Sequence, residues 1–366
     1  MVLQFTVSIA LIIGTSIVWQ QVQFAKNQPI GYTREGLIMI MKISPDLWGK
    51  SDALRNELKE SGAIVDMAES SNPPTAIWYN DTGFSWKNKD PNQQSDFATM
   101  AVTHEYGETM DWNFVRGRDF SRDFATDSSA VILNETAVRF MGLKEPIHEE
   151  ITWNGRKFTV IGVIKDMIIT SPFEPVKQTV FWLNNREKVM INIRLNPNMG
   201  ASEALSKIEK VFQTLFPAVP FDYKFTDQEY AMKFAAEERV GKLSSLFSML
   251  AIFISCLGLF GMASFVAEQR KKEIGIRKIL GASVITLWKM LSGEFILLVS
   301  ISCLISIPIA WHFLNQWLQR YEYHTDISIW VFVTASMVAL LITLLTVSFQ
   351  TIKASIVNPV NSLRSE

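Results

Sequence analysis

Chemistry needs a few side chains of the right type at the right spacing, and this chain offers several candidate sets. Trp48-Gly49-Lys50-Ser51 contains the Gly-Lys-Ser of a phosphate-binding loop, in which backbone N–H groups and the lysine cradle phosphates. Such a loop also needs a glycine at position 44, which is Ser44, so the tetrapeptide reads as the start of a helix. His104, His148, His312 and His324 are scattered without metal-ligand spacing. His104 and Glu105 are neighbours, which on a strand puts them on opposite faces. Asp119, Asp123 and Asp127 recur at every fourth position, but the glycine and glutamate of a calcium loop are missing, so a solvated loop is expected. Neither G-x-S-x-G nor H-E-x-x-H occurs. Cys256 and Cys303 lie in apolar stretches and suit neither a zinc site nor a disulfide framework. Glu294, close to an apolar run, reads as an interfacial charge beside Lys289 rather than a buried intramembrane carboxylate. These residues point away from an enzyme, and no catalytic, cofactor-binding or metal-ligating residue is expected.

The elements around these residues explain why. The chain of 366 residues carries 35 Lys+Arg and 36 Asp+Glu, a balance that argues against a basic nucleic-acid-binding protein. The charges are unevenly spread. Residues 1–19 have none, residues 20–242 carry 26 basic and 30 acidic side chains, and residues 243–366 carry 9 and 6. Crossing a bilayer takes about 20 apolar residues in a helix, and four stretches qualify: Val2 to Trp19, Leu243 to Val266, Phe295 to Leu314 with Pro308 inside, and Ile327 to Phe349. The first lacks the basic start and small-residue cleavage pattern of a signal peptide, so a membrane anchor is expected. Gly258 and Gly261 in the second span permit close helix approach.

Basic residues near span ends set orientation. The loop between spans two and three holds Arg270, Lys271, Lys272, Arg277, Lys278 and Lys289 and is therefore placed in the cytoplasm. The connection from span three to span four, with Trp317, Tyr321 and Tyr323 but a single Arg320, suits the outer interface. Residues 20–242 then lie outside, and Lys353 and Arg364 return to the cytoplasm.

The outer region is long enough for its own core. Ser51 is expected to cap a helix bearing Leu54 and Leu58 that ends near Gly62. Ser202 opens another, with Leu205, Ile208, Phe212 and Leu215 on one face and Pro217 as its stop. Val189 to Leu195 alternates as a half-buried strand, Phe158 to Ile164 does likewise, and Ala130–Leu133 is a strand before a helix beginning at Asn134. Residues 68–98, rich in Asn, Ser, Pro and Asp, are the candidate exposed segment. The expected architecture is an α-helical membrane protein: four transmembrane helices plus a large mixed α+β extracytoplasmic domain of two lobes.

The cytoplasmic loop carries the strongest signal. Residues 268–283, EQRKKEIGIRKILGAS, form an amphipathic helix with Ile274, Ile279 and Leu280 apolar, a basic flank, and Gly275 and Gly281 permitting close approach. Composition alone allows a positively charged anchor against anionic headgroups. The segment resembles the signature of FtsX-like ABC transporter permeases of the MacB type. The similarity continues in order through LQFTVSIALIIGT, QPIGYTREGLI, VRGRDF, VILNETAVRFMGL, VIGVIKDM, PFDYKF and SIVNPVNSLRSE, nearly the whole chain.

This resemblance implies a first transmembrane helix in 1–22, a MacB-like core domain in 23–242, and an FtsX-like permease domain in 243–366 whose coupling helix lies near 268–283. It also implies that Glu273, Ile274, Gly275, Ile276, Arg277 and Lys278 form the coupling surface for a separate ABC ATPase, which would bind the ATP, leaving no cofactor in this chain. The implied location is the bacterial inner membrane. The implied partners are that ATPase, membrane lipid, a second permease unit and a periplasmic partner, and no nucleic acid. Substrates in the family range over drugs, peptides and lipoproteins, moved by export or mechanotransmission. The alternative within the same resemblance is an FtsX-like regulator that activates an external cell-wall hydrolase. A signalling receptor would need a cytoplasmic output domain, for which few residues follow the last span. Many relatives carry two such units in tandem, and MVLQFTVSIA looks like the second unit's first helix without the basic residues expected just inside. A piece of a tandem protein is therefore expected slightly ahead of a half-length permease that dimerises.

Overall fold

The structure, a computed structural model, describes residues 1–28, 30–184 and 188–356. It divides into two compact units, one formed by residues 1–27 with 235–366 and the other by residues 28–234.

In chain order, helix α1 is Val2–Lys26. The second unit follows, with β1 (Leu37–Met41), α2 (Ser51–Glu60), β2 (Ile64–Ser70), β3 (Asn80–Asp81), β4 (Ser85–Trp86), β5 (Phe97–Val102), α3 (Tyr106–Met110), β6 (Phe114–Gly117) and β7 (Ala130–Asn134). It continues through α4 (Glu135–Met141), β8 (Glu150–Trp153), β9 (Arg156–Ile164), β10 (Thr179–Leu183), β11 (Met190–Leu195), α5 (Ala201–Leu215), β12 (Lys224–Phe225) and α6 (Thr226–Ala231). The first unit resumes with α7 (Ala235–Gln269), α8 (Lys271–Ile279), α9 (Val284–Leu318) and α10 (Ile329–Ile356).

Among the described residues, four helices are long and apolar enough to cross a membrane: α1, α7, α9 and α10. α1 buries Phe5, Ile9, Ile13 and Ile17, one stripe at four-residue spacing, against Leu259 and Ala263 of α7, Phe295, Val299 and Cys303 of α9, and Phe332, Ala335 and Ala339 of α10. In lipid a polar side chain must find its partner inside the protein. Ser8 and Ser255 hydroxyls meet at 2.9 Å, and Gln21, 1% exposed, bridges Tyr323 O and Thr325 N at 2.9 Å each. A Cβ on Gly258 would come within 3.0 Å of Gln4 Oε1, whereas one on Gly261 would meet nothing within 4 Å, so only the first glycine sits at a close helix approach. α7 starts eight residues before the apolar span and carries Glu237, Glu238, Arg239 and Lys242 in its opening turns. Lys26 pairs with Glu238 there.

The second unit is built on one continuous mixed sheet ordered β12-β1-β11-β2-β5-β10-β7-β9-β8-β4, with β3 on β5 and β6 on β9. Among the described residues only the β5–β10 and β7–β9 pairings are parallel. Residues 28–234 form one compact unit on this sheet rather than the two lobes expected, with two hydrophobic clusters along it. One joins β1, β2 and β11 to α2 and α5 through Ile38, Leu54, Leu58, Ile193, Ile208 and Phe212. The other joins β4, β7, β9 and α4 around Phe84, Trp86, Phe97, Leu133, Trp153 and Phe158.

Local signals explain several boundaries. Asn134 caps α4, its Oδ1 accepting from Ala137 N at 3.0 Å, and Gly142 ends that helix at φ 68°. α5 stops before Pro217 but is capped by Gly200 and so starts a residue before Ser202. Ser51 is the first residue of α2 and not its cap; its hydroxyl donates instead to Glu69 Oε1 at 2.5 Å.

Two expectations are corrected by distant partners. β11 is buried at every position rather than on one face. Asn192 donates its Nδ2 to Ser70 Oγ at 2.9 Å, and Arg194 donates to the carbonyls of Thr109, Glu35 and Thr33, which gives both polar side chains partners inside the fold. Residues 69–75 are likewise buried, because Ser71, Asn72 and their backbone bond to Ala101 and Thr99 of β5. Exposure begins only after residue 77.

Candidate coupling helix and outer cleft

α8 lies between α7 and α9. Its single buried side chain among those described, apart from Gly275, is Ile274, at 6% exposure, packed on Leu287 and Leu291 of α9 with Val266 and Met290 beside them. Ile276, Ile279 and Leu280 are 50%, 61% and 80% exposed. The helical turn explains the split. At about 100° per residue, positions 276, 279 and 280 fall roughly opposite 274, so Ile279 and Leu280 do not share its face as the amphipathic reading had it. Gly281, at φ +90°, ends the segment, and Ser283 caps α9 by accepting from Thr286 N at 3.3 Å.

Charges flank the exposed apolar side. Arg277 bonds Glu273 one turn away at 2.7 Å, both about half-exposed, and its guanidinium also meets Met290 Sδ. Arg270 reaches Glu294 at 2.6 Å, so Arg270, and not Lys289, is the partner the structure gives that carboxylate. The structure thus groups Glu273, Ile276 and Arg277 on the open side and turns Ile274 and Gly275 inward. The Lys278 side chain lies outside the described residues, as does the stretch 357–366 of the C-terminal motif.

A second cluster, in the outer unit, escaped the sequence reading. Gly49 and Ser51 of the discounted phosphate loop and the neighbours His104 and Glu105 line one cleft of about 220 Å³ with Lys42, Arg55, Glu69, Arg122 and Lys188. His104 and Glu105 occupy the turn leading into α3 rather than a strand, so both face this cleft. Glu69, 2% exposed, takes Lys42 on one oxygen and Lys188 on the other, the latter at 3.1 Å. Arg122 bridges Glu105 at 2.7 Å and Asp52 at 3.2 Å. Burial pushes the His104 imidazole and the Lys42 ammonium down, each opposed by its neighbouring glutamate. Five separate segments supply this lining, so no local spacing could have signalled it. The aspartate series also divides: Asp127, 1% exposed, takes Arg118 at 2.7 Å on both oxygens, while Asp123 is exposed. Among the described residues no group of three or more His, Cys, Asp or Glu is arranged to hold a metal ion.

The profile of the MacB-like periplasmic core domain matches residues 2–211, more than half the chain, and that of the FtsX-like permease C-terminal matches residues 245–359. The chain belongs to the MacB-type, FtsX-like ABC permeases. Macrolide export ATP-binding/permease protein MacB of Nitrobacter winogradskyi is 22% identical over 268 residues, covering 68% of this permease and 40% of that protein. The MacB of Campylobacter fetus is 25% identical over 210 residues, covering 54% and 32%. The permease therefore spans less than half the length of these curated relatives. The crystal structure of the periplasmic region of MacB from Actinobacillus actinomycetemcomitans aligns with 55% of this chain and 94% of that one, at 14% identity and a TM-score of 0.40. The permease is a multi-pass inner-membrane protein whose segment between α1 and α7 is extracytoplasmic.

Proposed function

We propose that this chain is the transmembrane subunit of an ABC-type complex whose ATP is bound and hydrolysed by a separate ATPase docked on α8. The observation that supports this most is the exposed row of Ile276 and Ile279 on a nine-residue helix, with Leu280 just past its end, pinned from behind by Ile274. Apolar side chains left bare beside a Glu–Arg pair form a small patch with a charged rim, the composition of a protein-docking surface. Glu273, Ile276, Arg277 and Lys278 contact the ATPase in this reading, while Ile274 and Gly275 hold the helix in place.

Closure of the ATPase pair pushes α8, and the push travels along α7 and α9 to move the extracytoplasmic domain for export or mechanotransmission. Lipid surrounds the four helices, a second permease unit completes the membrane part, and a periplasmic partner receives the movement. The test is co-purification with the cognate ATPase. Ile276→Glu and Leu280→Glu should each reduce the recovered ATPase at least tenfold while the permease keeps its melting temperature. Undiminished recovery with both variants would remove α8 as the docking site.

A further inference from the structure

Two segments that the coupling reading leaves idle, QPIGYTREGLI and VIGVIKDM, meet in the extracytoplasmic domain. The chain enters that domain through Ile30–Tyr32 and leaves through Tyr230–Phe234, directly before α7. Both passages are fastened to residues 166–173. On the entry side Ile168 N donates to Ile30 O at 3.0 Å. Gly31, at φ +81°, lies so close that a Cβ would come 2.2 Å from Asp166 O. Tyr32, 6% exposed, donates its hydroxyl to Pro74 O at 3.1 Å.

On the exit side the Lys233 ammonium donates to three carbonyls at once: Ile169, Thr170 and Thr75. An ammonium has three protons, so this cradle uses them all. Phe234, 1% exposed, stacks edge-on against Phe173 at 5.6 Å and Tyr230 at 5.7 Å. Burial lowers the Lys233 ammonium to about 8, with Glu174 opposing. The fastened segment is in turn tied to the sheet. Asp166 accepts from Thr136 N and Oγ1 at 2.8 Å each and from Arg139 at 2.8 Å, which locks it to the first turns of α4, and α4 continues β7 through the Asn134 cap.

We propose that residues 166–173, with Lys233 as their bolt, form the mechanical joint that carries movement of α1 and α7 into strands β7 and β9 of the extracytoplasmic sheet. Lys233 is a positioning residue in this scheme, and the proposal rests on the coupling reading for the source of the movement. Load arriving at either passage meets residues 166–173, alongside the covalent continuations into β1 and, through α6, into β12. Asp166 passes it on to α4 and β7, and the direct continuation of β9 into Lys165 and Asp166 passes it to β9.

The test has two arms on the full chain in lipid nanodiscs. In the first, Asn27→Cys and Ala236→Cys carry handles for optical-tweezers pulling, with Cys256→Ser and Cys303→Ala removing the native thiols. Lys233→Met and Asp166→Asn should yield first at about half the wild-type force, and Lys233→Arg should recover most of it. Asp66→Asn, on β2 away from the joint, should leave the first yield unchanged even though it lowers melting temperature, which separates a joint from general destabilisation. In the second arm, with the cognate ATPase, Lys233→Met should keep ATPase binding within twofold of wild type and lose at least fivefold of the ATP-dependent change in hydrogen exchange at β7 and β9. A first yield unchanged by Lys233→Met, or an ATP-dependent response that survives it, would overturn the joint. A lowered yield force for Lys233→Met, with a wild-type chain that recruits no ATPase, would leave the joint standing and remove the coupling reading instead.

Discussion

The two ends of α7 are built on opposite terms. Just before its outer end, Tyr230 and Phe234 are buried and Lys233 spends every proton on a backbone carbonyl. Just after its inner end, α8 buries Ile274 and leaves Ile276, Ile279 and Leu280 bare. A passage tied to the fold by buried rings and by three ammonium–carbonyl bonds is suited to pass on displacement. A short helix with bare apolar side chains gains stability only when something covers them. In the proposed function, transmission belongs to the outer end and reception to the inner one.

The largest expected effect tests the internally satisfied side. Asp66, fully buried, takes Arg55 at 2.6 and 2.8 Å and Lys59 at 3.3 Å. Asp66→Asn should cost the extracytoplasmic domain about 3 kcal/mol in urea denaturation, the loss expected on breaking a buried pair. Burial alone would raise this carboxyl, but Arg55, Met67 N–H and Lys59 hold it below the usual aspartate range. Its stabilisation is therefore present above the ordinary aspartate value and lost as pH falls through the depressed one. A wild-type acid transition no steeper than that of the variant would show that the network is not satisfied as described.

Next is the pin behind α8. Ile274→Ala should remove about 2 kcal/mol of local packing and expose the loop 268–283 to limited proteolysis several times faster than wild type. Equal cleavage rates would mean that α8 is held by something other than Ile274.

Asp119 gives an effect of the opposite pH sign to Asp66. Burial pushes its carboxyl up to about 7, and Glu108 and Asp127 add to the rise against the Phe120 N–H bond. Wild-type stability from this group is full below the ordinary aspartate value and lost as pH rises through about 7. Asp119→Asn should therefore gain on the order of 2 kcal/mol over wild type above that pH and nothing near pH ~4. A gain independent of pH would sink the assignment.

The smallest effect belongs to the open side of α8. Glu273→Gln breaks an exposed i,i+4 pair and should change stability by about 0.3 kcal/mol, within the noise of a melting curve, while weakening ATPase binding measurably. A larger loss of stability with binding intact would reverse the roles given to the two ends of α7.

Legibility in the sequence followed the reach of the signal. The four apolar helices, the Asn134 cap and the Pro217 stop depend on neighbours within a turn or two, and each is where local pattern placed it. β11 was not readable as fully buried, because the partners of Asn192 and Arg194 come from residues 33–35, 70 and 109. Residues 69–75 looked like a polar loop for the same reason. On α8 the residue types marked the segment, but which apolar side chain faced inward depended on α9, whose Leu287 and Leu291 select Ile274 over Ile279 and Leu280. The outer cleft, assembled from five segments, had no local signature at all.

The central claim is that α8 receives a separate ATPase through its exposed apolar row. Its most direct test is the dissociation constant of the cognate ATPase for the full chain in nanodiscs, wild type against Ile276→Glu, with Val65→Glu on the extracytoplasmic domain as an exposed apolar control. The account expects Ile276→Glu to weaken binding at least tenfold and Val65→Glu to leave it unchanged. Equal affinity for wild type and Ile276→Glu would contradict it.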